Sequence, residues 1–194
     1  RRMLARRRPV CAVKLALVST LLWISAGLSS AAAIEITFVG DSMADGLWGA
    51  FVRMTARIDC PLPLDFNREA RNGAGLARPD RLDWPAHVAE LAEQTRPDIF
   101  IMSIGLNDQQ AIVRPGGDRI RLNTQDWINA YADNVQAFYE GATRYGASVL
   151  IVGLPVLRDA DANDHALLLN SIFESIARFT PNVEYVPPWQ LAGA

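Results

Sequence analysis

Three short blocks carry the residues able to do chemistry. The first, Gly40-Asp41-Ser42-Met43, places a hydroxyl directly after an apolar β-branched run and ahead of a helical pattern. Glycine permits a tight bend there, and a helix N-terminus offers free N–H groups, so Ser42 is a candidate nucleophile. A helix N-cap by Asp41 or Ser42 accounts for the same residues. The second block, Asn72-Gly73-Ala74-Gly75-Leu76, supplies glycines whose backbone can approach a substrate and donate from N–H. The third, Gly105-Leu106-Asn107-Asp108, follows another apolar strand, so the Asn107 amide can reach a developing oxyanion. An Asx-turn is the competing explanation.

The elements that must position these blocks are legible. Ile34–Val39, Asp98–Ile104, Ser148–Val152 and Val183–Val186 read as strands, with a short further strand near Leu64–Phe66. Helical periodicity runs over Met43–Arg57, with Leu47, Phe51, Val52 and Met54 facing inward, and from Pro85 to about Thr95. It recurs after Thr124 through Trp127, Tyr131, Val135, Phe138 and Ala142, and again over Asp164–Phe179. Residues 58–84 otherwise read as a long connection. Strands apolar on both faces and alternating with helices predict a three-layer α/β/α sandwich with a mostly parallel sheet. Sites in such sheets form beyond the carboxyl ends of the strands, where the first and third blocks fall, with the second between them in the long connection.

The sequence of 194 residues has 19 basic and 21 acidic side chains. Residues 1–33 hold six of the basic groups and no acid, so the remainder carries net −8 with arginine as its only basic residue besides histidine. Its arginines are scattered, with no run that would track phosphates, which argues against a nucleic-acid partner. The single lysine, Lys14, and the lack of a G-x-x-x-x-G-K-[ST] run likewise disfavour a nucleotide-phosphate loop. The arginine-rich start, the uncharged Leu15–Leu28 stretch and Ser29-Ser30-Ala31-Ala32-Ala33 have the order of a secretory signal peptide, with an uncleaved anchor as the alternative. Export to the periplasm or beyond is expected, with membrane contact only through that segment. Cys60, the one cysteine outside it, has no partner for an internal disulfide and reads as a small apolar residue.

Taken together, the blocks resemble those of the SGNH/GDSL hydrolase superfamily over about residues 34–190, whose fold is flavodoxin-like. Ala44-Asp45-Gly46, Gly75 to Pro79, Asp83-Trp84-Pro85, Asn107-Asp108-Gln109, Gly153-Leu154-Pro155 and Arg158 resemble more narrowly an exported bacterial subgroup, mostly without an assigned substrate. The resemblance implies a serine esterase or acyl hydrolase for a small-molecule or carbohydrate ester, such as O-acyl groups of envelope carbohydrate. It implies that Ser42 attacks the ester carbonyl while the Ser42 and Gly75 N–H groups and the Asn107 amide hold the oxyanion, with Gly73 as substitute for Gly75. Asp41 would shape the turn, Asp108 and Gln109 would support Asn107 or line the pocket, and no metal or cofactor is implied.

The superfamily's late Asp-x-x-His block, source of its general base, is not found, and truncation at the C-terminus is the expectation. His87 sits in a helix away from the strand ends. His165 follows Asp161-Ala162-Asn163-Asp164 with the spacing Asp-x-x-x-His, and a helix cap or surface position outweighs catalysis for it. A non-catalytic periplasmic binding or assembly protein that keeps the oxyanion pocket is the rival reading.

Overall fold

The computed structural model describes residues 32–58 and 62–188. Residues 1–31 of the expected signal segment, Cys60 and the last six residues lie outside them. Five parallel strands form one sheet: β1 (Ile34–Gly40), β2 (Leu64–Ala70), β3 (Ile99–Ser103), β6 (Ser148–Val152) and β7 (Val183–Val186), in the order β2-β1-β3-β6-β7. A separate two-residue antiparallel pair, β4 (Ile112–Val113) and β5 (Arg119–Ile120), makes a hairpin. The helices are α1 (Ser42–Thr55), α2 (Trp84–Thr95), α3 (Gln125–Thr143) and α4 (Ala160–Ala177).

The strand pleat divides the core. Val39, Phe100, Met102, Val149 and Ile151 point to one face, where they pack with buried residues of α2, α3 and α4. Ile36, Phe38 and Ile101 point to the other, against Leu47, Trp48 and Phe51 of α1. Three layers result, as the strand pattern predicts. Val52 and Met54, read as inward-facing, are instead 38% and 51% exposed; one turn of α1 covers the sheet through Leu47, Trp48 and Phe51, and the helix's far side faces water.

Each helix opens on a side chain that accepts an otherwise unpaired backbone N–H: Asp41 from Met43, Asp83 from Ala86, Thr124 from Trp127 and Asp159 from Ala162. Such caps are worth about 1 kcal/mol each. The Asp159 cap starts α4 at Ala160, four residues earlier than its apolar periodicity suggests. Position 165 therefore lies within the second turn rather than at the helix entrance.

The chain leaves β1 toward β2 on one side and returns to β3 on the other. Loops after β1 and β3 consequently diverge, and a crevice opens between them at the carboxyl ends of these strands. Ser42 and Asn107 lie on its two lips.

Candidate functional site

Gly40 makes the crevice possible. Its φ is +136°, and a Cβ there would run into the Ser103 carbonyl of β3. The Asp41 N–H donates to that same carbonyl at 3.1 Å, so the chain crosses tightly over β3 before entering α1. Asp41 is fully buried. Its Oδ1 accepts from the Met43 N–H at 2.8 Å, and its Oδ2 accepts from the Gly105 N–H at 3.1 Å and, longer, from Asn107 Nδ2 at 3.5 Å. One carboxylate thus caps α1 and ties the first block to the third. Burial pushes its pKa above the ordinary carboxylate value, against the pull of the Met43, Gly105 and Leu106 N–H groups.

Ser42 is exposed as the first residue of α1. Among the described residues its hydroxyl and its N–H have no hydrogen-bond partner. The helix dipole adds positive character at this N–H, where an oxyanion would be favoured.

The second block is held by Asp108, which is fully buried. Its carboxylate accepts from the Leu76 N–H at 3.0 Å, the Ala77 N–H at 2.9 Å and the Tyr131 hydroxyl at 2.8 Å. A Cβ on Gly75 would collide with Asp108 Oδ1, so only glycine lets the loop lie this close. The Gly75 N–H meets no acceptor among the described residues. Asn107, half-buried, donates through Nδ2 to the Ala74 carbonyl at 2.9 Å, and its own carbonyl accepts from Gln110 Nε2. Loops two and three are therefore cross-linked twice, by Asn107 and by Asp108. Burial raises the Asp108 pKa to about 6, opposed by its N–H and hydroxyl donors.

Gly73, the substitute donor, has φ +76° at a reverse turn closed by the Ala74 N–H and the Arg71 carbonyl at 3.0 Å, with open space around its Cα. The turn explains this glycine, and Gly75 is the one held at the crevice. The expected support of Asn107 by Asp108 is not made through its side chain, whose carboxylate holds the Gly75 loop; Gln110 supports Asn107. Tyr131 was legible only as a core position on α3, and its hydroxyl contact had no sequence signal.

His165 is neither cap nor surface residue, since Asp159 caps α4 and His165 is 8% exposed. Its ring packs edge-on to Trp127 at 5.3 Å, and both ring nitrogens are buried without a partner. Burial lowers its pKa, partly offset by the Asp108 backbone. It flanks the third block, sharing a small cavity with Gly105, Leu106 and Gln109, on the sheet face opposite α1. His87 is half-buried on α2, with Nε2 3.8 Å from Glu69 at the end of β2 and its ring against Trp84. No group of side chains able to hold a metal ion occurs among the described residues.

The hairpin was missed as an element, although Pro115-Gly116-Gly117-Asp118 between Ile112-Val113 and Arg119-Ile120 is a turn signal. It belongs to the site's frame, because the Val113 N–H donates to the Ala77 carbonyl at 3.0 Å and the Asp80 N–H to the Val113 carbonyl at 3.3 Å.

Residues 35–194 match a family described as "Protein of unknown function (DUF459)", and the chain belongs to that family. The fold is that of SGNH-hydrolase esterases, in keeping with the resemblance. A mutant of Axe2, an acetyl-xylooligosaccharide esterase from Geobacillus Stearmophilus, superimposes with TM-score 0.60 at 14% identity over 84% of this chain and 82% of that one. AlinE4, an SGNH-hydrolase family esterase, gives TM-score 0.52 at 14% identity over 84% and 82%. Among curated sequences, a glucokinase of Streptomyces coelicolor is 32% identical over 90 residues, 46% of this chain. The chain spans about a quarter of the length of that relative, at 24%.

Proposed function

We propose that this chain is an exported serine ester hydrolase acting on O-acyl groups of envelope carbohydrate. The observation that carries the reading is the convergence of three loops on one crevice, with the Ser42 hydroxyl and the Ser42 and Gly75 N–H groups free among the described residues while Asp41, Asp108 and Asn107 are held by hydrogen bonds between the loops. In this reading Ser42 Oγ adds to the acyl carbon. The carbonyl oxygen, now negative, rests on the two N–H groups and on the Asn107 amide hydrogen not given to the Ala74 carbonyl. The bond to the sugar oxygen then breaks, the serine proton passes through solvent to that oxygen, and water releases the acid from the acyl-serine. Asp41 and Asp108 take no part in bond making; they set the loops.

His165 is not given the role of base. Its buried nitrogens lie beyond the third loop, on the face away from α1. Export rests on the order of residues 1–33, and the carbohydrate ester on that expectation together with what the Axe2 relative is said to act on. Phosphoryl transfer is not adopted from the partial glucokinase match, since the Gly40 turn has no lysine to meet a phosphate.

One observation favours the binding-protein alternative: the Ser42 hydroxyl touches no side-chain acceptor among the described residues. Reaction with a fluorophosphonate, read by mass spectrometry of the Ser42 peptide, separates the two. Adduct at Ser42 supports the hydrolase. Saturable binding of acetate or an acetyl ester with no adduct supports the alternative.

A further inference from the structure

The thirteen arginines outside residues 1–33 look scattered in sequence, yet three of them meet in space. Arg114, Arg119 and Arg121 line an open cleft of about 480 Å³ between the β4–β5 hairpin and the start of α3. Its volume falls within the ~300–1,000 Å³ of small-molecule sites. None of the three forms an ion pair among the described residues, whereas Arg68, Arg71, Arg78 and Arg178 each do. Asp126, Asn129 and Asp133 of α3 face the same cleft. They leave the guanidinium groups unneutralised by contact and add hydrogen-bond acceptors.

The hairpin's position gives the cleft meaning. Two backbone hydrogen bonds join Val113 to Ala77 and Asp80 on the Gly75 loop, and Trp127 at the start of α3 donates through Nε1 to the Gln110 carbonyl at 2.8 Å. Gly116 and Gly117, at φ +100° and +96°, close the hairpin in a conformation other residues adopt rarely. A ligand in the cleft would therefore sit on an element fixed to both oxyanion loops.

We propose that this cleft is an accessory subsite of the substrate, and that it recognises a carboxylate-bearing sugar unit of the ester. The proposal rests on the ester-hydrolase reading and names its substrate class. A guanidinium pairs with a carboxylate through two parallel hydrogen bonds. A site for an isolated phosphate has no use for two carboxylates beside the arginines, whereas a sugar acid offers hydroxyl donors to Asp126, Asn129 and Asp133 as well as an anion to the arginines. The mixed lining matches that combination.

The test pairs two measurements on the full chain. Acetate release is followed from O-acetylated polygalacturonate and from neutral O-acetylated xylan, and binding of unacetylated polygalacturonate is measured by calorimetry. The double variant Arg114→Gln, Arg119→Gln changes exposed side chains only, and circular dichroism checks its fold. The expected result is a preference for the anionic ester, expressed as higher KM for xylan, which falls about tenfold in the variant and weakens with rising salt. Calorimetry should show polygalacturonate binding that the variant loses. Equal preference in wild type and variant would overturn the proposal, as would tighter binding of a glycerol-phosphate polymer than of polygalacturonate. Arginine-dependent binding with no ester turnover would leave the cleft assigned and remove the hydrolase reading instead.

Discussion

Asp41 and Asp108 are buried at the carboxyl ends of the strands, and His165 is buried a few residues' width away, but the two settings differ in kind. Each carboxylate accepts hydrogen bonds, from Leu76, Ala77 and Tyr131 for Asp108 and from Met43, Gly105 and Asn107 for Asp41. The imidazole has no partner for either nitrogen. A buried polar group costs free energy unless it is hydrogen-bonded. The carboxylates offset part of that cost through bonds that fix the Gly75 and Asn107 loops, so their burial is tied to geometry around Ser42. His165 recovers nothing visible; its ring lies edge-on against Trp127, and burial lowers its pKa.

Breaking the carboxylate side should give the largest effects. Asp108→Asn puts an amide NH2 where two backbone N–H groups and a phenol all donate, so the Gly75 loop must move. We expect kcat/KM on an acetyl ester to drop about 100-fold, the scale of one lost oxyanion donor, and stability to fall about 3 kcal/mol in urea titration. Asp41→Ala removes the α1 cap and the tie to Gly105 together, for about 2 kcal/mol. Tyr131→Phe takes away one of three donors to Asp108, for about 1 kcal/mol, and a lower apparent Asp108 pKa is not expected, because the hydroxyl stabilises the ionised form. His165→Phe should be the mildest, within about 1 kcal/mol and of either sign, since it exchanges unpartnered nitrogens for carbon. A loss as large as that from Asp108→Asn would erase the contrast between the two settings.

The pH dependence of stability sharpens the same contrast, because the two groups act with opposite sign. Asp108 in the folded chain titrates at about 6, above its ordinary 3.8, so the folded state binds more protons between these values. Its contribution to stability is greatest at low pH and is lost as pH rises toward 6. His165 has a lowered folded pKa, so its contribution is lost as pH falls below the ordinary histidine value. Tm measured from pH 4 to 7 should change slope one way in Asp108→Asn and the other in His165→Phe. Below pH 6 the ester rate should also fall in wild type, as protonated Asp108 exchanges an acceptor for a donor against the Leu76 and Ala77 N–H groups.

Much of this was legible in the sequence because it is local. Apolar runs ending at Gly40 and Gly105 marked the strand ends, and the helical periodicities gave four helices on a parallel sheet. Ser42 and Asn107 were singled out by their place after strands, and Gly75 by the resemblance of its block. What escaped depends on contacts across the chain. Nothing around Tyr131 distinguishes it from Trp127 or Phe138 until α3 is laid against the third loop. Asp108 was placed next to Asn107 by sequence adjacency, whereas its carboxylate turns 31 and 32 residues back to the Ala77 and Leu76 N–H groups. His165 was assigned to a helix entrance because the apolar periodicity begins at Asp164, but the Asp159 cap starts the helix earlier. Arg114, Arg119 and Arg121 read as ordinary loop charges until the hairpin folds them toward α3.

The central claim is that the free N–H groups and the Ser42 hydroxyl form a working ester site. Steady-state hydrolysis of a small acetyl ester by wild type and Ser42→Ala tests it most directly. The account predicts turnover above buffer that falls by about 1,000-fold or more in the variant, to the level left by the oxyanion donors alone. Equal rates in the two proteins, or none above buffer in either, would contradict it.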